Sequence, residues 1–160
     1  MYAQLELKRT GLVQNFELPN AGEVITKAAK KAASANARKE DLVLDLTAGI
    51  PFIPELEMAK VIEELTDNAF KFSSAGTIVS VKANVSDGKF RISIADQGYG
   101  ISAEDLKKVG AFMQFERKAH EQQGFGLAIS KKIIELFDGE INIESELGKG
   151  TTVKIITPGR

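Results

Sequence analysis

Alternation is the clearest pattern in the chain. Across residues 77–85, Val79, Val81, Ala83 and Val85 fall on one side and Ser80, Lys82 and Asn84 on the other, the period of a half-buried strand. Ser86-Asp87-Gly88-Lys89 then predicts a hairpin turn, with Phe90 to Asp96 as the returning strand. Upstream, Leu42, Leu44 and Leu46 alternate with Val43 and Asp45, a strand ending at Gly49. Near the C-terminus, Glu140–Ser145 and Thr151–Ile156 form a second hairpin that turns through Leu147-Gly148-Lys149-Gly150.

Between these strands the period changes to that of helices. Residues 21–38 are alanine-rich, with Val24, Ala28, Ala32 and Ala35 spaced for one helical face, whose plain reading is packing. Residues 55–73 place Met58, Val61, Ile62, Leu65, Ala69 and Phe72 on one broad apolar arc. Ser102-Ala103-Glu104-Asp105 is a capping box that starts a short helix. Residues 110–124 are polar and aperiodic, a long loop, and a last helix runs from about Gly126 to Phe137, stopping at Asp138-Gly139. Phe16-Glu17-Leu18 is a short strand candidate closed by Pro19-Asn20. In residues 1–14, Tyr2, Leu5 and Leu12 suit one helical face that Gly11 interrupts. Helices and hairpins mix without strict βαβ alternation. That order predicts an α/β (α+β) two-layer sandwich, a mixed and mostly antiparallel sheet covered on one face by about three helices.

Composition narrows the function. At 160 residues the chain is one domain's worth, expected as a domain over 15–160 behind an N-terminal stub or linker over 1–14. Both ends lack a long polar linker, so it reads as a single trimmed domain, with excision from something larger and a complete protein both left open. With 21 basic and 22 acidic residues the net charge is −1, which argues against nucleic acid as partner. There is no cysteine for a disulfide, thiolate metal site or nucleophile, and one histidine, His120, rules out a multi-histidine metal site. No apolar run approaches the ~20 residues of a membrane span, and no signal-peptide pattern opens the chain, so a cytoplasmic setting is the default expectation.

Four places carry candidate chemistry. On the 55–73 helix, Glu64, Asn68 and Lys71 form a narrow polar stripe beside the apolar arc. An amide oxygen can ligate a hard cation, a carboxylate can hold a water and an ammonium can meet a phosphate, so the line suits magnesium–phosphate. A solvated stripe with a Glu/Lys near-pair is the competing account. Asp96 is in phase with Phe90, Ile92 and Ile94, so its carboxylate turns toward the core, where an unpaired charge is costly. A ligand amino group such as that of adenine would satisfy it, and Gly98 and Gly100 would let backbone come close. Alternatively, Asp96 starts a turn and meets water. Thr151 shares a face with Val153 and Ile155 and could share a water with Asp96, though threonine is an ordinary strand residue. Finally, Gly124-Phe125-Gly126-Leu127 leads into a helix whose free N–H groups suit phosphate, without being a Walker loop. Arg117, Lys118 and His120 precede it and could close over a triphosphate, or lie on a plain surface loop.

Taken in order, these segments resemble the ATPase superfamily shared by histidine kinases, gyrase, Hsp90 and MutL, and within it sensor histidine kinases (the Bergerat fold). Glu64-Leu65-Thr66-Asp67-Asn68-Ala69-Phe70-Lys71-Phe72-Ser73 is similar to their N box, and Asp96-Gln97-Gly98-Tyr99-Gly100-Ile101 to the G1 box. Phe112, Phe115 and Arg117 resemble the F box, Gly124–Ile129 the G2 box, and Phe137–Ile141 with Gly148–Thr152 the closing hairpin. The likeness covers about residues 16–157. By position it implies that Asn68 ligates Mg2+, that Glu64 positions or polarises the attacking group, and that Lys71 contacts phosphate. Phe72, Asp96, Gly98, Gly100, Ile101 and Thr151 would form the adenine pocket. Gly124, Phe125, Gly126 and Leu127 would lie along the triphosphate, with Arg117 catalytic in an ATP lid over about 102–123. Gln122 departs from the pattern, standing where the family usually has a further glycine.

The implied function is Mg-ATP binding and phosphoryl transfer to a histidine of a two-component system. The helical hairpin that carries that histidine in the family is absent from the chain, and His120 reads as an ordinary loop residue. The phosphoacceptor domain, and through it a response regulator, are therefore the implied partners. Since the family dimerises through that hairpin, a monomer is expected. An anti-sigma-type serine kinase, and a nucleotide-binding or docking module without turnover, are the alternatives.

Overall fold

The structure of the chain, a computed structural model, describes residues 20–114 and 125–160. Helix α1 (Ala21–Ala35) begins where the Asn20 side-chain oxygen accepts the Gly22 N–H at 3.0 Å, satisfying a first-turn donor. Its buried stripe is Ala21, Val24, Ile25, Ala28, Ala29, Ala32 and Ala33, small side chains that let α1 lie close along α2 (Glu55–Lys71). Ala35 is exposed, contrary to its expected place on that face. Asn36 takes the inward position instead, its Nδ2 donating to the Ala32 carbonyl and to Asp67 Oδ1, both at 2.8 Å.

Strand β1 (Leu42–Leu46) follows, then α2, β2 (Val79–Ser86) and β3 (Lys89–Asp96). Helices α3 (Ala103–Gln114) and α4 (Phe125–Leu136) precede the hairpin of β4 (Glu140–Glu146) and β5 (Gly150–Pro158). The five strands lie in the order β1-β2-β3-β5-β4. Only β1 and β2 pair in parallel, and a parallel pair needs a crossover, which α2 supplies. The β2–β3 turn has Asp87 and Gly88 both at positive φ, 53° and 72°, the conformation that matches the twist of a tight hairpin.

The two layers meet in one core. Val79, Val81, Ala83, Phe90, Ile92, Ile94 and Ile155 project from the sheet onto Met58, Val61, Ile62 and Leu65 of α2 and Ile133 and Ile134 of α4. On the opposite face Val43, Lys82, Asn84, Asn142, Glu144 and Lys154 are exposed. The sandwich is thus the two-layer form that the alternation predicts, with α1, α2 and α4 on the covered side.

Three further details differ from the sequence reading. Phe72 does not continue the apolar arc of α2: it is the C-cap residue and 41% exposed, while Phe70 turns inward at 2%. The arc is displaced because the helix stops at Lys71, one residue before Phe72 can complete the turn. Residues 110–114 are helix rather than the start of a loop. The Asp105 N–H donates to Ser102 Oγ at 3.1 Å to start α3, and the interior Gly110 is tolerated at a cost of about 1 kcal/mol. The segment proposed as a lid over 102–123 therefore has a helical first half. Strand β1, lastly, ends at Leu46 rather than Gly49. Residues 1–14, the Phe16–Leu18 strand candidate, and Phe115, Arg117, Lys118, His120, Gln122 and Gly124 lie outside the described residues.

Ile62 has no exposed surface where α2 crosses the sheet. Ile62→Ala is expected to lower the unfolding free energy by about 2–5 kcal/mol in urea denaturation; a loss well under 1 kcal/mol would mean that α2 is not anchored there.

Candidate functional site

Strand β3 delivers Asp96 to the open end of the core. Being in phase with Phe90, Ile92 and Ile94, its carboxyl lies on the helix-covered side and is half-buried. Oδ1 accepts the Gly98 N–H at 2.9 Å and the Thr151 N–H at 3.3 Å. Burial raises its pKa above the ordinary value of 3.8, against the pull of those two N–H groups and the Arg38 charge. Among the described residues Oδ2 accepts no hydrogen bond, so one carboxylate oxygen is left for a donor from elsewhere.

The loop after Asp96 is clasped from two sides. Toward α2, the Phe72 carbonyl accepts the Tyr99 N–H at 3.3 Å. Toward the last hairpin, the Gly148 N–H donates to the Tyr99 carbonyl and the Ile101 N–H to Ser145 Oγ, both at 2.7 Å. Such close approach requires glycine. A Cβ on Gly98 would stand 2.1 Å from the Phe72 carbonyl oxygen. Gly100 sits at φ +70°, and a Cβ there would stand 2.0 Å from the Glu146 carbonyl oxygen.

Thr151 reaches the site differently from expectation. Its hydroxyl is 2.7 Å from Ser145 Oγ, and it is the backbone N–H that meets Asp96. Ser145, which sequence reasoning did not single out, also donates to the Gly150 carbonyl at 3.0 Å and so ties the loop to β4 and β5. Its signal was the hairpin register, which sets it opposite Thr151.

The polar stripe lies along α2. Glu64 and Asn68 are half-buried and Lys71 is exposed. Both charged members of it are paired within the helix: Glu64 Oε1 lies 2.6 Å from Lys60 Nζ, and Lys71 Nζ 2.8 Å from Asp67 Oδ2. The Asp67 carboxylate raises the Lys71 pKa, chiefly through their hydrogen bond. The Asn68 side chain makes no hydrogen bond to another described residue, leaving its amide oxygen available. No group of three or more His, Cys, Asp or Glu side chains that could hold a metal occurs among the described residues. One free amide oxygen with a carboxylate a turn away fits Mg2+ that takes most of its ligands from phosphate and water. Helix α4 packs against α2 and β4; Phe125 and Gly126 are its first residues and Leu127 is half-buried against the core. Arg117 and Gly124 lie outside the described residues.

One further residue bears on the site and had no signal in the sequence. Arg38, only 8% exposed, donates from its guanidinium to the turn at the end of α2. Its acceptors are the carbonyls of Phe70 at 2.7 Å, Ser73 at 2.9 Å, Ser74 at 2.8 Å and Thr77 at 2.9 Å. Asp41 Oδ2 accepts its Nε–H at 2.7 Å, and that ion pair holds the Asp41 carboxyl below its ordinary pKa.

Against known proteins, residues 54–160 match the family described as histidine kinase-, DNA gyrase B-, and HSP90-like ATPase. The chain belongs to this family. Histidine protein kinase DivJ of Caulobacter vibrioides is 38% identical over 106 residues, covering 63% of this chain and 17% of that protein. Sensor protein RprX of Bacteroides fragilis is 39% identical over 123 residues, 72% of this chain and 23% of that one. The chain therefore spans under a quarter of the length of these relatives. A mycobacterial sensor histidine kinase, MprB, superposes with a TM-score of 0.73 at 25% identity, covering 90% of this chain and 99% of that one. The family and fold implied by the N-box and G1-box likeness are thereby borne out. No helix among the described residues is long and apolar enough to cross a membrane.

The raised pKa of Asp96 has a consequence for stability. An acid whose folded-state pKa exceeds its unfolded value penalises folding once pH rises through that interval, and is neutral in effect below it. Asp96→Asn is therefore expected to match or exceed the parent in thermal midpoint at neutral pH. The gap should close well below the ordinary aspartate value of 3.8. A variant less stable than the parent at neutral pH would show the two N–H donors outweighing burial.

Proposed function

We propose that the chain binds Mg-ATP and passes the γ-phosphoryl group to a histidine on a separate phosphoacceptor domain, within two-component signalling. The observation that carries this reading is Asp96, a half-buried carboxylate with Oδ1 occupied by two backbone N–H groups and Oδ2 open to an amino group. Adenine's exocyclic amine is such a group, and the glycine loop that follows is held in place by Phe72 of the α2 turn and Glu146 of the last hairpin. Family membership and the sensor kinases among the relatives support the same reading.

In this reading Asp96 selects the base, while Phe72, Gly98, Gly100, Ile101 and Thr151 wall its pocket. Asn68 offers its amide oxygen to the cation and Lys71 leaves Asp67 to meet a phosphate oxygen. Mg2+, when bound, neutralises charge on the phosphate oxygens as transfer proceeds. Glu64, held on one side by Lys60, orients the attacking imidazole or its proton. Phe125, Gly126 and Leu127 bring the start of α4 along the phosphates; Gly124 and Arg117, to which the resemblance gives phosphate-side roles, lie outside the described residues. Most of the rate enhancement then comes from placement and charge rather than covalent chemistry.

Titration calorimetry tests the binding half. Asp96→Asn is expected to weaken ATP by roughly tenfold to a hundredfold, the worth of one charge-assisted hydrogen bond; unchanged affinity would remove adenine recognition from this residue. Asn68→Ala is expected to abolish the gain in affinity on adding Mg2+ while leaving metal-free binding intact. The transfer half is tested by supplying a phosphoacceptor helical domain in trans with labelled ATP. Absence of labelled histidine at saturating ATP would restrict the function to nucleotide binding.

A further inference from the structure

The geometry points to Arg38 as a positioning residue for the adenine side of the site, acting through the turn that ends α2. The proposal rests on the nucleotide reading of Asp96 and extends it to a residue outside the matched segment, residues 54–160. The end of a helix leaves carbonyls without intrahelical donors. Here one planar guanidinium takes four carbonyls between Phe70 and Thr77, together with Ser73 Oγ at 3.0 Å and Thr77 Oγ1 at 3.3 Å. The same group lies 5.0 Å from the centre of the Phe70 ring.

What this turn presents on its other side is the wall of the pocket. Phe72 lies inside the clamped stretch, and its carbonyl accepts the Tyr99 N–H at 3.3 Å. That carbonyl also sets the height of Gly98, which has no room for a Cβ, and Gly98 in turn donates to Asp96 Oδ1 at 2.9 Å. A continuous path of hydrogen bonds and backbone contact thus joins Arg38 to the carboxylate that would read the base. Asp41 keys the arrangement from behind, because its Oδ2 accepts both the Arg38 Nε–H at 2.7 Å and the Gly76 N–H at 3.0 Å. Lysine could keep the charge but not the fork of donors that spans these carbonyls.

A purely structural Arg38 and a positioning Arg38 differ in what the folded variant recognises. The test compares ATP with GTP, each with and without Mg2+, by calorimetry on the whole chain carrying Arg38→Lys. Asp41→Asn serves as a milder second variant that keeps the guanidinium and an oxygen acceptor for its Nε–H. Folding is checked by circular dichroism and thermal midpoint. The expected result is a fall of about fivefold or more in the preference for ATP over GTP, smaller in Asp41→Asn, with the Mg2+-dependent gain unchanged. Folded variants with a lower thermal midpoint but an unaltered ATP:GTP ratio would overturn the proposal and leave the Asp96 reading standing. A parent chain without preference between the two nucleotides would overturn both.

Discussion

Helix α2 has to serve two surfaces at once, and the rest of the domain is arranged around that demand. Met58, Val61, Ile62, Leu65 and Ala69 must be buried for the sheet to be covered, which at about 25 cal/mol per Å² is the largest favourable term available to a chain of this size. For the proposed nucleotide site, Glu64, Asn68 and Lys71 have to stay reachable on the same helix. Helical geometry allows both only if the apolar arc is broad and the polar stripe lies along its margin. The neighbours follow from this. Alanine-rich α1 can lie close along one side of α2 without covering the stripe, and α4 packs along α2 to complete the layer.

The end of α2 then decides where the sheet's functional edge can sit. Because α2 is the crossover between two parallel strands, its C-terminal turn is carried to the start of β2, beside the end of β3. Val79 pairs with Asp96, so the chain leaving α2 and the chain leaving β3 are neighbours there by register. The Phe72 carbonyl and the Gly98 backbone meet at that junction, and the β4–β5 turn closes it from the other side through Gly148 and Ser145. Asp96 is half out of water as a result of three separate elements arriving at one point.

Much of this was legible beforehand, for local reasons. Alternation in residues 77–96 gives strands, their facing sides and the inward phase of Asp96, since side-chain direction in a strand has a period of two. The stripe Glu64, Asn68 and Lys71 follows from helical period alone, and the order of the N-box, G1-box, F-box and G2-box segments sufficed for the family. Small errors also have local causes. Phe72 was placed on the apolar arc because period does not show where a helix stops, and the loop reading of 110–114 followed from the polar, aperiodic run of 110–124, whose first residues still continue the helix begun at Ala103.

What the tertiary structure alone decided concerns partners distant in the chain. Arg38 sits beside Lys39 in an ordinary charged stretch of the sequence, and the carbonyls it donates to lie 32 to 39 positions away. Ser145 meets Ile101 across 44 residues, and the Thr151 N–H meets Asp96 across 55. The sequence determined which side chains face the core and which chemistry each can offer, because both depend on the residue and its near neighbours. It could not determine which carbonyl receives which donor, because hydrogen bonds are set by positions to a few tenths of an ångström, and those arise only when the sheet, its covering helices and the closing hairpin are packed together.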